Sequence, residues 1–315
     1  MSNLLEPKAQ TVKRINAYLA DAQHVFIDSR TIPLDAVSEM GIGNKPIDDG
    51  NYLFSNEEKE AFVKLEPQSA AYFKRWYGSD EFINNKVRWC LWLGDSPPDK
   101  LRKMPHSLQR IENVRTFRQM SKSEGTRKIA DTPTRFHVEN MPVATYIAIP
   151  ETSSENRKYI PIGFLDSSVL CSNAMRLIPH ATLYEFGVLT SQMHMAWMRT
   201  VCGRLEMRYR YSAQIVYNNF PWPDISEAQK AAIIQKAQAV LDARAQFPDS
   251  ALADLYDPNT MPPVLTKAHA ALDSAVDKLY RKTAFPDDAA RVAFLFELYG
   301  KKTEGLLTGK RKDGV

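Results

Sequence analysis

An α+β fold, with a mixed and mainly antiparallel sheet carrying helices and a small α-helical bundle after it, is what this 315-residue sequence predicts. Short apolar runs between residues 145 and 179 alternate with turn residues, the pattern of a twisted, mainly antiparallel sheet. Residues 204–211 alternate charged with apolar or aromatic side chains, as the two faces of an extended strand do. After Pro223 the composition turns alanine-rich, with apolar stripes at helical spacing.

A chain of 315 residues with 44% hydrophobic content suffices for two ordinary domains, each with its own core. The pattern divides it into a lead-in (1–20), a sheet-containing domain (21–223), a helical domain (224–300) and a basic, disordered tail (301–315). The net charge of +4 permits a nucleic-acid partner without demanding one. Three cysteines, Cys90, Cys171 and Cys202, stand far apart without ligand spacing, so neither a disulfide framework nor a zinc site is expected, and a reducing, cytoplasmic setting fits. No apolar run reaches the length of a membrane span, so no membrane partner is expected.

In chain order, a short helix over Thr11–Ala20 leads into a strand over His24–Arg30, and residues 31–58 read as loop. Gly41-Ile42-Gly43 lacks the third glycine and the preceding apolar strand of a nucleotide loop. A helix is expected from about Glu57 to Arg75, then a buried strand in which Val87, Trp89, Leu91 and Leu93 alternate with their neighbours, the tryptophans serving as core. Between Leu101 and Arg135 the basic residues Arg102, Lys103, Arg110, Arg115, Arg118, Lys122, Arg127, Lys128 and Arg135 face only Glu112, Glu124 and Asp131. Such a run is either a solvated helix face or a track of phosphate contacts; SKSEGTRK within it reads as loop. Strands follow at Thr145–Pro150, Tyr159–Leu165, Ser168–Ser172 and Met175–Pro179. A helix capped by Thr190 or Ser191 and stopped by Gly203 carries His194 among Met193, Trp197, Met198 and Val201, surroundings in which a histidine packs rather than catalyses. Tyr217–Pro223 reads as the hinge into the helical domain. There, Ser226 with Gln229 forms a capping box ahead of the Ile233, Ala237, Val240, Leu241 stripe. Pro262-Pro263 opens a second helix with Leu265, Ala268, Leu272, Val276 and Leu279 inside, and a third runs from about Asp287 to Tyr299 with Gly300 at its end.

No enzyme motif is present: no GxGxxG, GxSxG, HExxH or P-loop, and no Asn-Pro-Pro-Tyr type tetrapeptide. The carboxylate pairs Asp48-Asp49 and Asp287-Asp288 sit at turns or helix starts, where carboxylates are ordinary. The informative constellation is Arg204, Glu206, Arg208 and Arg210, which a single strand puts on one face with Leu205, Met207, Tyr209 and Tyr211 opposite. Arginine donates two hydrogen bonds to guanine O6 and N7 and a carboxylate accepts from cytosine N4, so Glu206 and Arg208 suit the two partners of a C·G pair. A strand whose Glu and Arg pair only with each other is the competing account, and the residues alone leave the two open.

The segments FINNKVRWCLWL, YIPIGFLDSSVLCSNA, LYEFGVLTSQMHMAWMRTVCGRLEMRYRYSAQIVYNNFPWP and LADLYDPNTMPPVLTKAHAALDSAVDKLY resemble the carboxy-terminal part of the MmeI-like, type IIL restriction-modification enzymes of bacteria. The resemblance covers about residues 15–300 and implies a DNA target recognition domain ending near Trp222, then a helical domain. It implies duplex DNA as partner and base reading by Glu206 and Arg208, with Arg210 and Ala174 as a second pair. Phosphate contacts are expected from Arg127, Lys128, Lys122 and Arg204. The parent activity it implies is S-adenosylmethionine-dependent adenine N6 DNA methyl transfer. The family's cofactor loop, catalytic tetrapeptide and endonuclease motif lie upstream of the matched region, so no cofactor is expected in this chain, and an upstream methyltransferase domain or separate subunit is the expected partner. A stand-alone specificity subunit and a protein-interaction scaffold are the alternatives.

Overall fold

The computed structural model describes residues 15–22, 25–94 and 96–307. Among these residues three small sheets and a set of helices share the work of burying the apolar runs. The first sheet has the order β1 (Gly41–Ile42), β9 (Met175–Pro179), β5 (Tyr146–Pro150), β7 (Gly163–Leu165), antiparallel throughout. The second has the order β2 (Leu53–Phe54), β4 (Trp89–Leu91), β3 (Phe73–Tyr77), β8 (Val169–Cys171), with one parallel pair, β3 with β8. The third joins β10 (Gly203–Leu205) and β11 (Arg208–Arg210) to β6 (Thr152–Ser153). The α+β class and the mainly antiparallel pairing are therefore as the sequence predicts.

β5 is apolar at every position because both of its faces are covered. Ile147 and Ile149 join a large core formed with α6 (Leu183–Leu189), α7 (Gln192–Val201), α8 (Glu227–Ala245), α10 (Pro263–Tyr280) and α11 (Asp288–Leu307), while Tyr146 and Ala148 pack against α2 (Ser79–Asn84). A separate core under the second sheet takes Phe62 of α1 (Asn56–Leu65) and Ile111 and Val114 of α4 (Pro105–Gln119). α3 (Pro98–Leu101), α5 (Glu124–Lys128) and α9 (Leu252–Leu255) are single turns.

The Ser226–Gln229 capping box and the buried stripes of α8 and α10 form as expected. α8 and α10 pack on each other as the expected helical unit, which is also continuous with the large core: α8 crosses α6, and α11 lies on α7. At the α6–α8 crossing a Cβ on Gly187 would stand 2.8 Å from Ile233 Cγ2, so only glycine permits this approach. Gly43 is likewise a close-approach glycine, its absent Cβ facing the Ser172 carbonyl oxygen at 2.1 Å, which accounts for the Gly-Ile-Gly stretch without a ligand.

Several expectations are corrected. Residues 25–30 form no strand; their backbone is held instead by Tyr18 Oη, which accepts from Ile27 N, and by the Gln214 carbonyl, which accepts from Arg30 N. Of the helix expected over Thr11–Ala20, residues 11–14 lie outside the described residues and 15–20 are irregular, with a turn at 17–18. The helix expected to reach Arg75 ends at Leu65, because Pro67 lacks the donor a continuing helix needs; Pro67–Tyr72 is a 3-10 segment and Phe73 begins a strand. SKSEGTRK contains α5, capped by Ser123, and α6 is a helix the pattern did not announce. Gly300 is buried inside α11, which runs on to Leu307; the rest of the tail lies outside the described residues. Trp89 and Trp92 are half-buried at the edge of their core, with Lys59 Nζ 3.5 Å above the Trp89 ring.

Tyr217–Pro223 is a buried joint and not a hinge. Asn219 is fully buried, donates to the carbonyls of Asp28, Gln214 and Ile215, and accepts from Tyr299 Oη. Lys302 closes the other side on Asp35 and the Trp222 carbonyl. A chain that must satisfy buried backbone groups around two prolines uses asparagine and tyrosine side chains to do so.

Candidate nucleic-acid interface

The alternating stretch after Gly203 is not one strand. It is a hairpin, β10–β11, with the register Gly203↔Arg210, Arg204↔Tyr209, Leu205↔Arg208 and a two-residue turn at Glu206–Met207. Glu206 takes φ +57 there, a left-handed conformation that non-glycine residues adopt at a cost. Cross-strand partners share a face. Tyr209 is buried, so Arg204 lies on its side of the hairpin and stacks its guanidinium 4.1 Å from the ring centroid. Arg208 and Arg210 face outward together with Leu205. The expected grouping of Arg204 with Arg208 and Arg210, and of Leu205 with Tyr209, is thereby reversed.

On the outward face Arg208 Nη2 meets Glu206 Oε2 at 2.9 Å, with both side chains well exposed. Arg210 Nε donates to Glu151 Oε1 at 2.8 Å, and Glu151 Oε2 takes Arg176 Nη2 at 2.8 Å. Burial lowers the pKa of Arg176 and the Glu151 charge opposes that shift. The Glu151 backbone completes the junction, its N–H donating to the Ala174 carbonyl at 2.9 Å and its carbonyl accepting from Tyr211 N at 2.7 Å. Ser79 Oγ also donates to the Ala174 carbonyl, and Ala174, Ser79, Asp80, Arg88 and Asn173 line a cleft of about 400 Å³. Ala174 and Arg210 are thus brought to two sides of one glutamate. The sequence does not single out Glu151 and Arg176 because they stand elsewhere in the chain, Glu151 between β5 and β6 and Arg176 on β9; Glu151 is 59 residues from its partner Arg210.

Beneath the hairpin, His194 Nε2 lies 2.9 Å from Tyr211 Oη, and complete burial pushes its pKa down to about 3. It is a neutral core histidine that holds the base of β11.

The basic run divides. Arg118 is wholly buried and donates to the carbonyls of Ile47, Pro46, Ile129, Thr132 and Arg135, so it is a structural clamp and no part of a phosphate track. Arg110 stacks 4.3 Å from the Phe54 ring and bonds the Asn51 carbonyl. Lys122, Arg127 and Lys128 are exposed; Arg127 also bonds the carbonyls of Ser121 and Lys122, and Lys128 pairs with Glu124 at 2.8 Å. These three stand on α5 and the loop before it, beside α4, while the hairpin rests on the other core. Among the described residues no group of three or more His, Cys, Asp or Glu could hold a metal ion, and no helix is long and apolar enough to cross a membrane.

A sheet domain that presents an arginine-bearing hairpin from a buried scaffold, fused through a rigid joint to helices, defines a recognition module with a helical support. Residues 21–224 match the family described as MmeI, target recognition domain, and residues 225–307 match MmeI, C-terminal domain. The chain belongs to the MmeI family. A solved structure described as type IIL restriction-modification enzyme MmeI in complex with DNA superposes with a TM-score of 0.91 at 50% identity, covering 95% of this chain and 40% of that one. A curated relative, DNA methyltransferase A of Bacillus subtilis (strain 168), is 38% identical over 293 residues, covering 93% of this chain and 33% of its own length. The chain therefore spans about a third of that relative.

Proposed function

We propose that this chain is the sequence-specific duplex-DNA recognition part of an adenine N6 DNA methyltransferase from a restriction-modification system. The observation that carries the proposal is the outward face of the hairpin, where Glu206, Arg208 and Arg210 stand together in a chain half identical to a protein solved with DNA. A two-stranded ribbon fits the major groove, where arginine and glutamate discriminate guanine and cytosine. The Glu206–Arg208 pair does not oppose this: both are exposed, such a pair is worth about 0–1 kcal/mol, and it yields to better partners. In this reading Arg210 and the Ala174 loop form a second reading point set by Glu151, while Lys122, Arg127, Lys128 and Arg204 contact phosphates. In the same reading, S-adenosylmethionine binding and methyl transfer belong to a further domain or subunit of the parent enzyme, in the bacterial cytoplasm. The stretches 21–223 and 224–300 then act as reader and support.

Binding of the chain to randomised duplexes tests this. Arg208→Ala is expected to relax preference at one base position, a discrimination worth about 1–3 kcal/mol. Lys128→Ala is expected to weaken binding to every sequence alike and to reduce the salt slope by about 1. Equal losses on all sequences for Arg208→Ala would refute the base-reading role, and indifference to DNA would leave the interaction scaffold.

A further inference from the structure

The hairpin register has a chemical result on its outward face. Leu205 pairs directly across from Arg208, so an apolar side chain stands beside the arginine and not behind it. Leu205 is 45% exposed and Met207, in the turn, 69% exposed. β6 pairs only with Tyr209 and Arg210, so residues 205–208 project beyond the third strand with no sheet neighbour on that side. Opposite Arg210 stands Gly203, whose Cβ position has nothing within 4 Å, and the outward face is left clear. A single exposed apolar side chain needs no explanation. Two side by side at the hairpin tip form an apolar patch flanked by the Glu206–Arg208 pair.

We infer that Leu205, supported by Met207, reads the C5-methyl group of a thymine in the base pair next to the one faced by Glu206 and Arg208. This rests on the duplex-DNA reading of the hairpin proposed above. On the floor of the major groove the thymine methyl is the apolar group, and apolar side chains recognise it by contact. The ribbon places hydrogen-bonding and apolar readers side by side, as adjacent base pairs require.

A methyl scan tests it with the whole 315-residue chain. A duplex enriched by the chain from a randomised pool is resynthesised with uracil replacing thymine at one position at a time, which deletes the methyl and keeps every hydrogen-bonding group. At one position the substitution is expected to weaken binding roughly fourfold, the value of one buried methyl-sized group. Leu205→Ala should lose a similar factor on the thymine duplex and nothing further on the uracil duplex. Both side chains being exposed, the thermal midpoint of Leu205→Ala and Met207→Ala should match that of the parent chain, which separates a binding loss from a folding loss. Uracil tolerated at every position, an enriched site without thymine, or a Leu205→Ala loss equal on thymine and uracil duplexes would overturn the inference while leaving DNA reading intact. Failure to enrich any duplex would instead remove the DNA reading on which it stands.

Discussion

Glu206 holds a backbone conformation that costs an L-residue roughly 1–2 kcal/mol. Glycine adopts it freely, so Glu206→Gly is expected to raise stability by about 1 kcal/mol in urea unfolding while, in the proposed reading, abolishing preference at one base position. Gain of stability together with loss of selectivity is the signature of strain kept for a surface role; a loss of both would refute that account. Arg118 is the reverse case. In the sequence it is one more cation of a basic run, and nothing in its neighbours distinguishes it from Arg115. Its burial comes from carbonyls supplied by residues 46, 47, 129, 132 and 135, most of them distant in sequence. Arg118→Met strands those carbonyls, so a loss of about 3 kcal/mol or more is expected from the shift in the urea midpoint, with the salt slope of any DNA binding unchanged.

At the scale of elements, the hairpin shows why a correct pattern can assign the wrong faces. Period-two alternation runs from Arg204 to Tyr211 without interruption, and a strand is the simplest object with that period. A two-residue turn keeps the alternation but pairs residues of opposite parity, 205 with 208 and 204 with 209. The turn goes unannounced because Glu-Met contains none of the glycine or asparagine that marks tight hairpins. Residue types alone bring Glu206 and Arg208 together as candidates; which side chains share their face depends on the register. α6 escaped notice for another reason: the LYEFGVL run is buried on nearly all sides, so it shows no amphipathic stripe, and Gly187 in its middle reads as a breaker. That glycine permits the crossing with Ile233 and Ala237. Gly187→Leu is accordingly expected to cost about 1–3 kcal/mol of stability, read from the denaturant midpoint.

For the whole molecule, the large core runs without a break from β5 through α6 and α7 into α8, α10 and α11. Tyr159 Oη donates to Asp273 Oδ2 at 2.6 Å across that core, and Tyr256 Oη lies 2.8 Å from His269 Nε2. The regions before and after residue 223 are expected to unfold in one transition, with fluorescence and far-ultraviolet dichroism coinciding in urea. Buried histidines give the transition a pH dependence. The pKa of His194 falls to about 3 on folding, and that of His269 falls well below its ordinary value, both from burial. A histidine buried neutral binds fewer protons folded than unfolded, so stability is full above about pH 6.5 and declines toward pH 3, by roughly 1.4 kcal/mol per unit for each such group. Asp273, whose pKa burial raises, acts in the opposite sense above 3.8. His194→Gln should flatten the profile of the urea midpoint between pH 7 and 5; an unchanged slope would exclude this assignment.

The Tyr217–Pro223 joint bears on how such a chain can be recombined. A breakpoint placed there would sever Asn219 from Tyr299 and the Trp222 carbonyl from Lys302, and would strip α6 and α7 from the helices that cover them. Exchange of parts between relatives is therefore workable at two sizes: the few residues of the hairpin tip, which touch little else, or the whole fused unit. A transplant of intermediate size inherits half a core.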